Sequence, residues 1–156
     1  MPRRNAAVIR ETTPDGVHNS RLVQQVINKV MLDGKKSTAE RIVYPAIAKL
    51  SEKSGKDPVD ALEAAVKAVT PNLEVRSRRV GGASYQVPVE VPSRRARTLA
   101  IRWIVDAGRS RREHAMSDRL ANELLEALSD QGGAFKKKED IFRMAQANKA
   151  FSHYRW

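Results

Sequence analysis

The chain has 156 residues, of which 29 are Lys or Arg and 18 are Asp or Glu, so its formal net charge is +11. The absence of cysteine excludes disulfides, thiolate metal sites and cysteine nucleophiles. No stretch approaches the roughly 20 apolar residues of a membrane span, and no secretory signal is recognised at the start. The sequence therefore predicts a basic, soluble, cytoplasmic protein that forms a single domain, residues 1–156.

The first 18 residues show no apolar periodicity and are predicted to form a basic N-terminal arm, residues 1–18. Apolar residues then recur at helical spacing, which predicts a first helix that begins after Ser20 and ends at Gly34. A second helix is predicted to begin at Ser37, whose hydroxyl would form a capping box with the Glu40 carboxylate.

The second helix contains Pro45, which has no N–H and is expected to kink it. A third helix is predicted to begin at Asp57 and Pro58, because a cap residue followed by proline is typical of a first helical turn. Pro71 is predicted to end that helix.

Residues 73–91 are predicted to form a two-stranded β-ribbon, since apolar and polar residues alternate on both sides of Gly81 and Gly82. These glycines allow the positive φ angles of a tight hairpin turn. Pro88 suits a ribbon that has no outer neighbour. Because an isolated ribbon is marginally stable in water, we expect a projecting arm that something else holds.

Helical spacing returns after the ribbon and ends at Gly108, and two more helices are predicted near residues 116–129 and 134–148. Residues 149–156 are predicted to form a C-terminal tail. The predicted fold class is mainly α: about six helices in one bundle-like domain, with a β-hairpin arm between the third and fourth helices.

Most of the excess positive charge lies in residues 76–112, which contain ten basic and two acidic residues, a net charge of +8. All ten basic residues are arginine: Arg76, Arg78, Arg79, Arg94, Arg95, Arg97, Arg102, Arg109, Arg111 and Arg112. Arginine binds phosphate oxygens in pairs and stacks on bases, whereas lysine acts as a point charge. A solvated basic face is the alternative, but the density and exclusive use of arginine favour a nucleic-acid-binding surface.

Two lysine runs lie beside predicted helix starts: Lys35 and Lys36 before the second helix, and Lys136, Lys137 and Lys138 in the first turn of the last helix. Free N–H groups and ammonium charges both favour an anion there, so each run could seat a phosphate. A tolerated surface run is the alternative.

The C-terminal tail is rich in aromatic residues, with Phe151, Tyr154 and Trp156 in its last six positions. These rings, Tyr154 and Trp156 in particular, could stack on bases or fold back onto the core. The sequence leaves both possibilities open.

No catalytic or metal-binding motif is evident. His18, His114 and His153 are isolated from other ligand-type residues, and no local motif joins Ser or Thr to a His and a carboxylate. We therefore predict no enzymatic activity, no metal, no cofactor and no small-molecule substrate.

Two other functions remain as alternatives to RNA binding. An architectural DNA-binding protein would need an apolar wedge at the ribbon tip, which the tip glycines and Ala83 do not offer. An RNA-processing enzyme would cleave its RNA in a metal-dependent reaction.

Four segments resemble bacterial small-subunit ribosomal protein seven. They are residues 33–41 (DGKKSTAER), 73–88 (LEVRSRRVGGASYQVP), 99–103 (LAIRW) and the run from 132 to 156. The similarity covers nearly the whole chain. It implies a helical protein with an extended β-ribbon that binds the 3′ major domain of 16S ribosomal RNA and nucleates assembly of the 30S head.

The same resemblance implies a position at the subunit interface, near the exit-site tRNA and the messenger path, in contact with ribosomal proteins nine and eleven. It implies ribosomal RNA contacts at Lys35, Lys36, Arg76, Arg78, Arg79, Arg95, Arg102, Lys136, Lys137 and Lys138. We add Arg3 and Arg4 of the arm and the remaining arginines of residues 76–112 as RNA-binding candidates. The ribbon tip, made of Val80, Gly81, Gly82, Ala83, Ser84 and Tyr85, would lie nearest the exit site.

Overall fold

Six α-helices and one antiparallel ribbon make up the part of the chain that the structure, a computed structural model, describes: residues 8–154. In chain order the elements are α1 (Arg21–Val30), α2 (Lys36–Ser54), α3 (Pro58–Val69), β1 (Leu73–Val80), β2 (Ala83–Glu90), α4 (Ser93–Ser110), α5 (Met116–Leu128), α6 (Gly132–Ala147) and a 3₁₀ helix (Lys149–Tyr154). The predicted fold class is confirmed, including the position of the hairpin. Within residues 8–154, no helix has the length and apolar character needed to cross a membrane.

The hydrophobic core lies where the apolar stripes of all six helices meet. Helix α5 is central, because it packs against α2, α3, α4 and α6, and its Leu120 and Leu124 are buried. On α1 the buried Val23 and Ile27 lie four residues apart, one turn along the same face. Each such aliphatic side chain contributes about 1.5–3 kcal/mol when buried, so the helices form a firm platform for the surface features.

The ribbon has the predicted turn. β1 and β2 pair from Leu73 opposite Glu90 to Val80 opposite Ala83. Gly81 and Gly82 have φ angles of 58° and 89°, both positive as a type I′ turn requires. Both strands contact α6, and β2 also contacts the 3₁₀ helix, so the chain itself holds the ribbon.

The end of α1 differs from the prediction. The helix ends at Val30 rather than at Gly34, because residues 32–35 form a separate turn. In that turn the Lys35 N–H donates to the Leu32 carbonyl at 2.9 Å, and Gly34 has a φ of 73°. Glycine is therefore needed for the turn between two helices, not for the helix end itself.

The predicted capping box at the start of α2 is wrong. The preceding turn makes Lys35 the cap residue, so Ser37 is already inside the first helical turn, and no side chain caps the helix. Glu40 pairs with Lys36 instead, at 3.6 Å. Lysine cannot accept a hydrogen bond, which is why the cap position lacks a side-chain bond.

The start of α3 follows the prediction. The Asp57 carboxylate accepts a hydrogen bond from the Val59 N–H at 3.2 Å, and Pro58 is the first helical residue. Helix α2 continues through Pro45, which lies on its exposed face. Water can therefore bond the Arg41 carbonyl that proline leaves without a donor, and the kink stays a prediction.

Candidate nucleic-acid interface

The base of the ribbon and the start of α4 bring two predicted RNA-contacting arginines to one carboxylate. The Nε of Arg76 lies 2.5 Å from Oε1 of Glu74, and the Nε of Arg95 lies 2.7 Å from Oε2. Burial raises the pKa of Glu74, but the hydrogen bonds from Arg95 and Arg76 outweigh that effect and hold it below its ordinary value. Glu74 is therefore ionised at neutral pH and joins the two arginines.

A groove of about 680 Å³ lies between the N-terminal segment, α1 and the first half of α4. Its charged lining residues within the described chain are basic except for one, namely Arg10, Arg21, Lys29, Arg94, Arg97 and Arg102 against Glu11. Glu11 is itself paired with Arg21 at 3.2 Å. The groove thus carries a net positive charge on both walls, which suits a polyanion.

The groove contains basic residues that the sequence analysis did not predict as RNA contacts: Arg10, Arg21 and Lys29. A signal for two of them exists in the sequence, because Arg21, Gln25 and Lys29 are four residues apart. That spacing puts them on one polar face of α1, beside the apolar stripe. α1 lies outside the arginine-rich residues 76–112, so the concentration of charge in that stretch does not indicate this face.

Four arginines of helix α4 lie on two surfaces, while the fifth, Arg109, donates to the Val30 carbonyl at 3.2 Å. Arg94, Arg97 and Arg102 line the groove, whereas Arg95 bonds Glu74 at the ribbon base. The seven-residue spacing of Arg95 and Arg102 puts them on one side of the helix. The two surfaces are therefore adjacent and form one basic face.

Exposure separates the predicted RNA contacts into two groups. The exposed residues are Lys35, Lys36, Arg76, Arg79, Arg94, Arg95, Arg97, Arg102, Arg112, Lys136 and Lys137, and the half-buried ones are Arg78, Arg109, Arg111 and Lys138. Arg3, Arg4 and Trp156 lie outside the described residues. None of these RNA contacts is tested by the fold alone, and all of them stay predictions.

Arg111 is held inside the protein by three carboxylates. Its guanidinium donates to Glu113 at 3.0 Å, to Glu123 at 3.0 Å and to Glu126 through two bonds of 2.7 Å. Hydrogen bonds from the Asn122 side chain, from the backbone N–H of Glu113 itself and from Arg111, in this order of size, lower the pKa of Glu113 to about 2. The bond to Arg111 lowers the pKa of Glu126. The donors of Arg111 are thus committed to the connection between α4 and α5.

Glu123 extends this cluster to the start of α6. Its side chain is 1% exposed, and its second oxygen accepts a hydrogen bond from the Ala134 N–H at 2.8 Å. A carboxylate at a helix N-terminus satisfies a free N–H and interacts favourably with the helix dipole. The Arg111 cluster therefore fixes three helices to one another.

The geometry predicted for a phosphate seat beside Lys136–Lys138 is wrong. Helix α6 begins at Gly132, so the lysines lie in its second turn, and Glu123 already occupies an N–H of the first turn. Lys138 donates to the Ala68 carbonyl at the end of α3, at 2.6 Å. Only the exposed lysines of this run face solvent as RNA-binding residues would.

The C-terminal aromatic residues pack on the ribbon. The Tyr85 ring lies 5.0 Å from that of Phe151 and 5.4 Å from that of Tyr154, between centroids. These distances are typical of aromatic pairs in protein interiors. The tail thus folds back as one alternative proposed, but onto β2 rather than onto the helical core. Base stacking by Tyr154 stays a prediction.

The fold and the basic face define a class, that of helical nucleic-acid-binding proteins with a β-ribbon. Among residues 8–154, no three His, Asp or Glu side chains lie together as a metal site would require.

A match to the family described as Ribosomal protein S7p/S5e covers residues 2–149. The small ribosomal subunit protein uS7 of Dictyoglomus thermophilum is 61% identical over 156 residues, all of both chains. The protein of the same name from Rubrobacter xylanophilus is 59% identical over 156 residues, all of both chains. The one from Sulfurimonas denitrificans is 56% identical over 154 residues, 99% of each chain. The chain belongs to the ribosomal protein S7p/S5e family.

Membership in this family confirms the resemblance found in the sequence. The protein is a structural constituent of the small ribosomal subunit, located in the cytoplasmic ribosome, and it is not an enzyme. Its partners are the ribosome and ribosomal RNA.

Proposed function

We propose that the protein binds the 3′ major domain of 16S ribosomal RNA directly and nucleates assembly of the head of the 30S subunit. The observation that carries this proposal is the basic face, defined as the groove together with the ribbon base. It joins Arg94, Arg97 and Arg102 to Arg76 and Arg95 on adjacent surfaces. Five arginines on two neighbouring surfaces can contact several phosphates of one folded RNA, more than a single phosphate group offers.

The mechanism is release of counterions from the RNA together with recognition of its shape. Each phosphate that an arginine or lysine neutralises releases counterions, which makes binding strongly salt-dependent. Guanidinium groups add paired hydrogen bonds to phosphate oxygens. Because folded RNA is recognised mainly by its shape and backbone, the relative placement of groove and ribbon on a firm core decides which RNA fits.

The N-terminal wall of the groove is held by Asp15. Its carboxylate accepts hydrogen bonds from the N–H groups of Val17 (3.1 Å), His18 (2.8 Å) and Ser20 (2.8 Å). Burial raises the pKa of Asp15, but these backbone hydrogen bonds outweigh that effect and lower it. The ionised carboxylate thus closes the turn before α1 and supports the segment that carries Arg10.

The finer parts of the proposal concern the neighbours in the subunit. We propose that the ribbon tip, residues 80–85, lies near the exit-site tRNA and the messenger path, and that ribosomal proteins nine and eleven contact the protein. What supports this is the resemblance over residues 73–88 and the exposure of positions 81–84 at the end of a supported ribbon.

The binding proposal is tested by competition between folded head-domain RNA and duplex DNA at increasing salt. We expect a preference for the RNA that persists at moderate salt, because shape recognition adds to the charge attraction. Equal or tighter binding of DNA would contradict the proposal and favour an architectural DNA-binding protein. Metal-dependent cleavage of the RNA during incubation would favour a processing enzyme.

A matched pair of triple variants tests whether the groove arginines bind the RNA. Changing Arg94→Gln, Arg97→Gln and Arg102→Gln together should lower the salt slope of RNA binding by roughly two to three, near one unit for each lost phosphate contact. The control changes Lys53→Gln, Lys56→Gln and Lys67→Gln, exposed lysines on α2, on α3 and between them. It removes the same charge away from the groove, so an equal loss of slope in the control would contradict the proposal.

The position of the tip is tested with a single tether, since the chain contains no cysteine. A Ser84→Cys variant carrying a hydroxyl-radical-generating iron chelate should cleave exit-site tRNA when assembled into 30S subunits. Lys53→Cys at the end of α2 is the matched control and should not. Cross-linking of the same subunits, followed by identification of the linked proteins, tests the contacts with proteins nine and eleven.

A further inference from the structure

Glu74 is a buried acidic residue beside the most basic segment of the chain. Only 8% of its surface is exposed, and it directly precedes, with Val75, the stretch of residues 76–112 that carries a net charge of +8. A negative charge in an RNA-binding surface opposes the attraction of phosphate. Its presence there therefore calls for a function that outweighs this repulsion.

The geometry indicates that function. Each Glu74 oxygen accepts a hydrogen bond from a different arginine, Arg76 on the same strand and Arg95 on α4. The side chains of Arg76 and Arg95 nevertheless remain 48% and 51% exposed. Arg95 bonds Glu74 through its Nε–H, and its Nη groups have no acceptor among residues 8–154. Arg76 lies 2.5 Å from Oε1 through both Nε and Nη2, which leaves its second Nη group for a phosphate.

One carboxylate between two guanidiniums still leaves the group positive. It also weakens the repulsion between the two cations and restricts their rotamers. A free arginine loses side-chain entropy when a phosphate orders it, and a side chain that is already ordered loses less. The two arginines of the ribbon base are thus ordered before any RNA arrives.

We propose that Glu74 is a positioning residue for RNA binding: it holds Arg76 and Arg95 in the orientation in which both guanidiniums bind phosphate oxygens of the same RNA. This inference rests on the proposed function, since it assumes that the ribbon base contacts RNA. It assigns to an acidic residue a favourable contribution to binding a polyanion.

The positioning role and simple electrostatics predict opposite changes in RNA affinity for one substitution, Glu74→Gln. Glu74→Gln raises the formal net charge from +11 to +12, so charge alone predicts tighter binding of RNA. If Glu74 positions the arginines, binding weakens, because glutamine keeps one acceptor oxygen and presents an NH₂ group to the other guanidinium. We expect affinity for head-domain RNA to fall about fivefold, since two arginine side chains then have to be ordered on binding.

Asp106→Asn is the matched control. Asp106 is an exposed acid on α4, within the same basic stretch, and no arginine bond to it is present among the described residues. Its substitution makes the same change in charge, so affinity should stay equal or rise up to about twofold. Equal or tighter binding by Glu74→Gln as well would overturn the inference.

A double-mutant cycle shows whether Glu74 acts through the arginines. In a background with Arg76→Ala and Arg95→Ala, Glu74→Gln should no longer weaken binding, because there is nothing left to position. An equal loss of affinity in both backgrounds would overturn the inference and assign Glu74 a merely structural role. Thermal unfolding of each variant reports the stability effect separately from the binding effect.

If Glu74→Gln does not fold, Glu74→Asp takes its place. Aspartate keeps the charge but its shorter side chain cannot reach both guanidiniums, so we again expect weaker binding, and unchanged affinity would overturn the inference. The wild-type protein distinguishes this outcome from failure of the proposed function. Head-domain RNA that the wild type does not bind would contradict the proposed function itself.

Discussion

Arginines of the same basic stretch lie in two opposite environments. Arg111 is one guanidinium among three carboxylates and its side chain is 20% exposed. At the ribbon base, Arg76 and Arg95 share the single carboxylate of Glu74 and are about half-exposed. The first group carries net negative charge and joins helices, whereas the second carries net positive charge and faces solvent. The number of carboxylates that the fold places around a guanidinium, not the residue type, decides whether it stabilises the protein or is available for RNA.

The largest expected effect on stability comes from a substitution that breaks the Arg111 cluster. Arg111→Ala leaves the buried Glu123 carboxylate without its cation, so we expect the free energy of unfolding to fall by about 3 kcal/mol, measured by urea denaturation. Arg112→Ala, an exposed neighbour, is the control and should change stability by less than about 0.5 kcal/mol. A stable Arg111→Ala protein with a lower RNA salt slope would instead identify Arg111 as an RNA contact.

The stability that the Arg111 cluster contributes should depend on pH. The folded-state pKa of Glu113 is about 2, below its ordinary value of 4.5, and that of Glu126 is also lowered. A depressed carboxyl pKa contributes stability that is present above the unfolded value and is lost as pH falls through the folded value. We therefore expect the urea concentration at the unfolding midpoint of the wild type to decrease as the pH is lowered from about 5 to about 2. The decrease in the urea midpoint should be smaller in the Arg111→Ala variant. The same dependence of the midpoint on pH in both proteins would contradict this prediction.

The aromatic contact extends the comparison to the outer half of the ribbon, where Phe151 and Tyr154 pack against Tyr85. Phe151→Ala should lower stability by about 1 kcal/mol through loss of the pair with Tyr85. Backbone amides around Tyr85 should exchange hydrogen faster, while those of α5 keep their protection. Leu32→Ala, which removes an exposed apolar side chain from the turn between α1 and α2, is the control and should not change the exchange of the ribbon.

The smallest expected effect on stability lies at the ribbon base. Arg95→Gln should lower the RNA salt slope by roughly one unit and reduce stability by less than about 1 kcal/mol, because Arg76 still pairs with Glu74. The salt slope of Arg111→Gln, measured alongside, should match the wild type. An unchanged salt slope for Arg95→Gln together with a lower one for Arg111→Gln would contradict the contrast between the two environments.

Elements that depend on neighbouring residues were predicted well. The helices follow apolar residues spaced three and four apart, and the hairpin follows alternation around two glycines, both of which are local patterns. The Asp57 cap was also predicted, because the next residue is a proline. The capping box at Ser37 failed because the path of the preceding turn, not the residue types, decided which residue became the cap.

The candidate site was predicted only in part, for a related reason. The local charge density predicts the arginines of α4 and the ribbon but not Arg21 and Lys29, because the groove between α1 and α4 exists only after the helices pack. Charge alone also does not separate Arg111 from Arg95, since two of the three carboxylates that bind Arg111, Glu123 and Glu126, come from α5.

By itself the sequence determined the fold class, the ribbon with its two-glycine hairpin turn, the excess of arginine and, through its resemblance, the family. These features depend on local spacing, composition and long matching segments. Tertiary structure alone decided that Glu123 caps α6, that Phe151 packs on Tyr85 and that Glu74 joins two arginines. Each of these contacts unites residues of different elements, and only helix packing sets the distances and the burial on which their energies depend.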